Sequence, residues 1–126
     1  MKKKTVLMIE DNEFNMILAR DLLQFEDFTV VDAYDAEAGI RKAHETKPDL
    51  ILMDIQLPGM DGLAATRIIK KDPALREIPV VALTACAMKE DKKQAIAAGC
   101  IGYIPKPIDT RSFVKVVAQF IADYTL

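Results

Sequence analysis

Short apolar runs alternate along the chain with segments of helical period, and that alternation restricts the fold more than any other feature. Thr5-Val6-Leu7-Met8-Ile9, Phe28-Thr29-Val30-Val31, Leu50-Ile51-Leu52-Met53, Ile78 to Leu83 and Ile101 to Ile104 lack a helical period and read as strands. Between them, residues 14–25 place Phe14, Ile17, Leu18, Leu22 and Phe25 on one helical face behind a capping Asn12. Asp35 caps a weaker helix through Ile40 and Ala43, which Pro48 breaks. A helix with Leu63, Ile68 and Ile69 runs to about Lys71 and stops at Asp72-Pro73. A small-residue helix spans roughly 88–98, with Gly99 as its stop. The last helix follows Asp109 and carries Phe113, Val116, Val117, Phe120, Ile121 and Tyr124 on one face.

Strand–helix alternation implies βαβ units, and right-handed crossovers put helices on both faces of a parallel sheet. Strands one, three and four are continuously apolar, as burial on both faces requires. The predicted fold class is α/β: a three-layer (αβα), doubly wound, five-stranded parallel sheet. At ~100–200 residues per domain, residues 1–126 form one domain.

Composition removes several functions. The chain is 51% hydrophobic and 29% charged, an ordinary globular balance. Seventeen Lys and Arg against nineteen Asp and Glu leave a net charge of −2, which argues against direct DNA binding. No apolar stretch approaches the ~18 residues of a membrane span. Lys2, Lys3 and Lys4 precede an apolar run of only Val6 to Ile9, too short for an export signal. A cytoplasmic protein with Cys86 and Cys100 reduced is expected.

The residues that end the strands carry the chemistry. Strand one ends in Glu10-Asp11, strand three in Asp54 and strand four in Thr84, and strand five is followed closely by Lys106. Parallel strands bring all of these to the carboxyl edge of the sheet, where open α/β folds bind ligands. Two carboxylates ~4 Å apart repel by ~4 kcal/mol at an effective dielectric of ~20. Three of them need a cation or must protonate, and Lys106 offsets only part of the repulsion. Carboxylate oxygens without His or Cys suit Mg²⁺, which commonly bridges carboxylates to phosphate oxygens. A carboxylate beside Mg²⁺ is also a nucleophile able to accept a phosphoryl group.

Ile9-Glu10-Asp11-Asn12, Pro48-Asp49-Leu50-Ile51-Leu52-Met53-Asp54-Ile55-Gln56-Leu57-Pro58, Asp61-Gly62, Leu83-Thr84-Ala85 and Tyr103-Ile104-Pro105-Lys106-Pro107 carry a resemblance over essentially the whole chain. In combination they resemble the receiver domain of bacterial two-component response regulators. The wording around Glu10 and Asp54 is similar to stand-alone cell-cycle regulators of the DivK type and to receivers built into hybrid histidine kinases. The resemblance implies a flavodoxin-like strand order, 2-1-3-4-5. It implies Asp54 as phosphoacceptor, and Mg²⁺ held by Asp11, Asp54 and the backbone carbonyl of Gln56, with Glu10 acting mostly through water. Lys106 would pair with Asp54 and then with the phosphoryl oxygens. Thr84 would move to the phosphoryl group, and the inward position of Tyr103 would accompany that movement. The Lys106–Pro107 bond is expected to be cis. Pro105 removes a backbone donor before the lysine. Gln56 and Cys86 border the path of an attacking water.

Each residue also has a plainer reading. Asp54 alone is a common turn starter. Glu10-Asp11 suits a helix N-terminus, Lys106 a solvated surface, and Tyr103 a core position. His44, the one histidine, reads as a charge contact near a helix C-terminus, so a phosphoryl donor must be another protein. Cys86 and Cys100 read as small, at least partly buried residues, and Lys70-Lys71 and Lys92-Lys93 as solvated helix faces.

The leading expectation is a phosphoacceptor switch that assists its own phosphorylation and dephosphorylation. Its partners are a sensor histidine kinase or a histidine phosphotransfer protein, and a downstream protein target. With the last helix ending near Tyr124, no DNA-binding output domain is expected, nor any membrane contact. The face of helix four, strand five and helix five is a candidate for output contacts, a homodimer included. Two alternatives compete. An Asp-nucleophile, Mg²⁺-dependent phosphohydrolase usually carries a second Asp two residues after the first, where this chain has Gln56. A flavodoxin-like cofactor carrier needs a glycine-rich phosphate cradle, and glycines 39, 59, 62, 99 and 102 form none.

Overall fold

The computed structural model of the protein describes residues 3–85 and 89–124; Cys86 and the chain end at Leu126 lie outside them. Ten elements alternate: β1 (Thr5–Ile9), α1 (Glu13–Phe25), β2 (Thr29–Ala33), α2 (Ala36–Thr46), β3 (Leu50–Asp54), α3 (Gly62–Lys71), β4 (Val80–Thr84), α4 (Lys89–Ala98), β5 (Gly102–Pro105) and α5 (Phe113–Tyr124). All strand pairs are parallel, in the order β2-β1-β3-β4-β5. The chain steps outward from β1 to β2 and then returns across β1 to β3. This reversal opens a crevice between the carboxyl ends of β1 and β3.

Strand alternation splits the core into two layers. Leu7, Ile9, Ile51, Met53 and Ala82 pack with Ala36, Ala43, Ala65, Ile69 and Ala95 from α2, α3 and α4. Val6, Met8, Leu50, Leu52, Val81 and Leu83 pack with Met16, Ala19, Leu23, Phe113, Val117 and Ile121 from α1 and α5. Every residue of β3 and β4 is buried, as their unbroken apolar sequence requires. Asn12, Asp35 and Asp61 each accept a backbone amide from the first turn of the following helix. Gly99 ends α4 with φ +117°, a conformation that favours glycine.

The elements match the sequence reading closely, with boundary shifts of a few residues. The buried face of α1 does not match. Phe14 is 72% exposed, Phe25 is 85% exposed and Ile17 is also exposed, while Met16, Ala19 and Leu23 face the sheet. Helix α1 carries two apolar stripes, and periodicity alone does not rank them. The stripe containing Ala19 lets the helix approach the sheet closely, so the bulkier stripe points away.

Candidate functional site

The strand ends meet as their common direction requires. Glu10 leaves β1 fully buried, held by its amide to Ala33 O at 3.0 Å. Asp54 closes β3 and Thr84 closes β4, and both are buried. Lys106 follows β5, and its amide donates to Thr84 O at 2.8 Å, which fixes that loop to the end of β4. The Lys106–Pro107 peptide is cis. Asp11 is exposed at the mouth of the crevice.

The Lys106 ammonium bridges two carboxylates. Its Nζ lies 3.1 Å from Asp54 Oδ2 and 3.1 Å from Glu10 Oε1. The expected pairing with Asp54 is present, and Glu10 shares the cation. Oxygens of Glu10, Asp11 and Asp54 all fall within 4.8 Å of one another. The Gln56 amide donates to Asp54 Oδ1 at 2.9 Å, so the β3–α3 turn places Gln56 beside that carboxylate.

Burial, with the neighbouring Asp54 carboxyl, pushes Glu10 up to about 7 against the pull of Lys106. Burial acts on Asp54 too. Hydrogen bonds from Glu10, the Gln56 amide and Lys106 outweigh it and hold Asp54 below the ordinary carboxylate range. Desolvation lowers the proton affinity of Lys106, but Asp54 and Glu10 more than offset this and keep its ammonium charged. Near neutral pH the pocket therefore holds an anionic Asp54, a cationic Lys106 and a Glu10 that readily carries a proton.

One supporting residue escaped the sequence reading, and another, Gly62 of the Asp61-Gly62 motif, was given no packing role there. Asn15, in the first turn of α1, donates from Nδ2 to Glu10 Oε1 at 3.2 Å. Its position five residues after Glu10 is the only trace in sequence. Gly62, the first residue of α3, packs on the end of β3: a Cβ there would stand 2.2 Å from Asp54 O. Glycine is required by this close approach.

Other expectations change in detail. Tyr103 is half-buried against the α2–α3–α4 layer, with Lys92 Nζ 4.5 Å from its ring centre. Lys92 is therefore not merely a solvated face. Lys70 is not one either: it donates to Ile78 O at 2.6 Å and Arg76 O at 3.2 Å. These lysines looked solvated because their partners lie on neighbouring segments. His44 pairs with Asp72 Oδ2 at 2.9 Å across the ends of α2 and α3. Cys100 is buried, whereas Cys86 falls outside the described residues.

A profile for the response regulator receiver domain matches residues 6–118. The chain is 42% identical over 120 residues to the polar-differentiation response regulator DivK of Brucella anthropi, covering 95% of this chain and 98% of that protein. It is 30% identical to the receiver domain of sensor histidine kinase PA1611 from Pseudomonas aeruginosa. That structure has a magnesium ion coordinated in its active-site cleft, a TM-score of 0.87, and coverage of 96% of this chain and 99% of that one. The chemotaxis protein CheY4 of Vibrio cholerae shares the fold, with a TM-score of 0.89 at 23% identity over 94% of this chain and 98% of that one. On the sequence match, the strand order and the acidic crevice where that order reverses, the chain belongs to the response regulator receiver family of two-component signalling.

Proposed function

We propose that this protein is a phosphorylation-operated switch whose acceptor is Asp54. The observation that carries the reading is the Lys106 ammonium, 3.1 Å from Asp54, closing a crevice where three carboxylates converge. An Asp54 oxygen attacks the phosphorus of a phosphohistidine on a partner. The O–P bond forms as the P–N bond breaks, and the imidazole leaves with the electron pair. Lys106 holds the new phosphoryl oxygens as it holds the carboxylate, a task suited to a compact charge.

The donor set fits Mg²⁺, being oxygen-only and clustered. Asp11, Asp54 and the Gln56 backbone carbonyl would hold it, with Glu10 acting through water. Bound there, the ion would supply charge neutralisation for the carboxylates and the incoming phosphoryl oxygens. The presence of magnesium in the related PA1611 receiver supports this assignment.

Helix α1 suits a protein donor. It begins two residues after Asp11 and presents Phe14, Ile17, Leu18, Leu22 and Phe25 around an open depression of about 410 Å³. An exposed apolar stripe continuous with the pocket mouth fits a helical partner that delivers the histidine. That partner is a sensor histidine kinase or a histidine phosphotransfer protein. Thr84 and Tyr103 then relay the change to the face formed by α4, β5 and α5, where a downstream protein binds; a homodimer through that face is the competing occupant. The protein works in the cytoplasm, as a switch rather than a turnover enzyme. Gln56 stands where a phosphohydrolase of the Asp-nucleophile class would carry its second acid.

The test is incubation with acetyl phosphate and Mg²⁺, read by intact mass. One phosphoryl group should be gained, and Asp54→Asn should gain none. Equal labelling of Asp54→Asn would place the acceptor elsewhere. A phosphotransfer profile against the histidine kinases and phosphotransfer proteins of the source organism then names the partner.

A further inference from the structure

Among the described residues, helix α4 buries the fewest side chains of the five helices. Its described residues bury only Ala95 and Ala98, and its remaining surface is polar apart from Ile96 and Ala97. In its first half, Lys92 Nζ stands 4.5 Å from the ring centre of Tyr103 on β5. Tyr103 pairs with Ala82 across the β4–β5 ladder. Thr84 lies two residues beyond Ala82, so by strand alternation it projects to the same face. The ring thus lies between a helix with few buried side chains and the strand end that closes the phosphoacceptor pocket.

We infer that Lys92 is a positioning residue: its ammonium over the Tyr103 ring holds that ring at α4 in the resting protein and so sets how readily the switch is thrown. The inference rests on the phosphoacceptor reading above. A half-buried cation over an aromatic face is favourable, and its loss corresponds to about a two- to five-fold change in a conformational equilibrium. Arginine preserves the contact, and methionine keeps the bulk without the charge.

A lysine side chain over the face of Tyr103 carries a ring-current signature in NMR, and replacing Tyr103 identifies it. The Lys92 Cε protons should resonate upfield in the resting protein, remain so in Tyr103→Phe and revert in Tyr103→Leu. Acetyl phosphate with Mg²⁺ should reduce the upfield displacement in step with labelling of Asp54. Lys92→Met should speed labelling at limiting acetyl phosphate about two- to five-fold, and Lys92→Arg should restore the parent rate. In a Tyr103→Leu background Lys92→Met should have no further effect. Equal acceleration in both backgrounds would mean plain charge and would overturn the inference. So would full labelling with an unmoved Lys92 resonance, which leaves the phosphoacceptor reading intact. Failure of Asp54 to take any label would overturn that reading, and this inference with it.

Discussion

Lys106 and Glu10, 96 positions apart in sequence, meet at 3.1 Å inside the pocket. The pairing matters because Glu10 is fully buried and shares its lysine with Asp54. Two buried carboxyls around one ammonium leave an excess negative charge, and burial beside Asp54 pushes Glu10 up to about 7, so it takes up a proton as pH falls through neutrality.

Metal-free protein should lose stability as pH rises from about 5 to 8. The folded chain binds the Glu10 proton more tightly than the unfolded chain does, so this contribution is complete below 4.5 and is lost as pH climbs through about 7. The loss is on the order of 2 kcal/mol. Asp54 is shifted the opposite way, and its contribution falls only in acid, below its ordinary 3.8. Glu10→Gln should flatten the neutral limb. Urea melts of both proteins at pH 5, 6, 7 and 8 read the slopes; parallel curves would remove Glu10 as the cause.

Mg²⁺ should raise the melting temperature, and by more at pH 8 than at pH 5.5, because proton and cation relieve the same repulsion. Asp11→Asn should abolish most of the rise with little effect on the metal-free melt, since Asp11 is exposed. Thermal melts across a magnesium titration measure both. A full magnesium response in Asp11→Asn would take Asp11 out of the ligand set.

Gly62→Ala should destabilise the fold by about 1–3 kcal/mol. Its methyl would meet Asp54 O at 2.2 Å and Ile55 Cα at 2.6 Å, both backbone atoms that cannot swing away. Labelling of Asp54 should fall as well, because relief of the clash shifts the end of β3 that carries it. Normal labelling at parent stability would show that α3 moves instead.

Phe14→Ala and Ile17→Ala should change stability by less than about 0.5 kcal/mol, as expected for exposed positions. Transfer from a phosphohistidine protein should fall at least about ten-fold in the double variant, through loss of apolar contact worth roughly 1.5–3 kcal/mol per side chain. Stopped transfer assays with the cognate donor give the rate. An unaltered rate would move the donor to another face.

The α1 result shows where a linear reading stops. Helical period locates an amphipathic helix, yet Phe14, Ile17 and Phe25 proved to be the outward stripe and Met16, Ala19 and Leu23 the inward one. Hydrophobicity favoured the first set; close packing of small Ala19 against the sheet favoured the second. The same limit hid Asn15 and Lys92. Their partners, Glu10 and Tyr103, are set by the angle at which a helix lies on the sheet, which no local pattern encodes.

What the amino-acid order alone determined is the set of β–α units and therefore the single edge at which Glu10, Asp11, Asp54, Thr84 and Lys106 assemble, because parallel strands share one direction. Tertiary structure alone decided the distances within that edge: which two acids share the Lys106 ammonium, which acid keeps a proton, and which glycine admits α3 against Asp54. The division has a physical cause. Strand direction follows from backbone connectivity, whereas burial and charge sharing depend on gaps of a few ångströms between elements far apart in sequence.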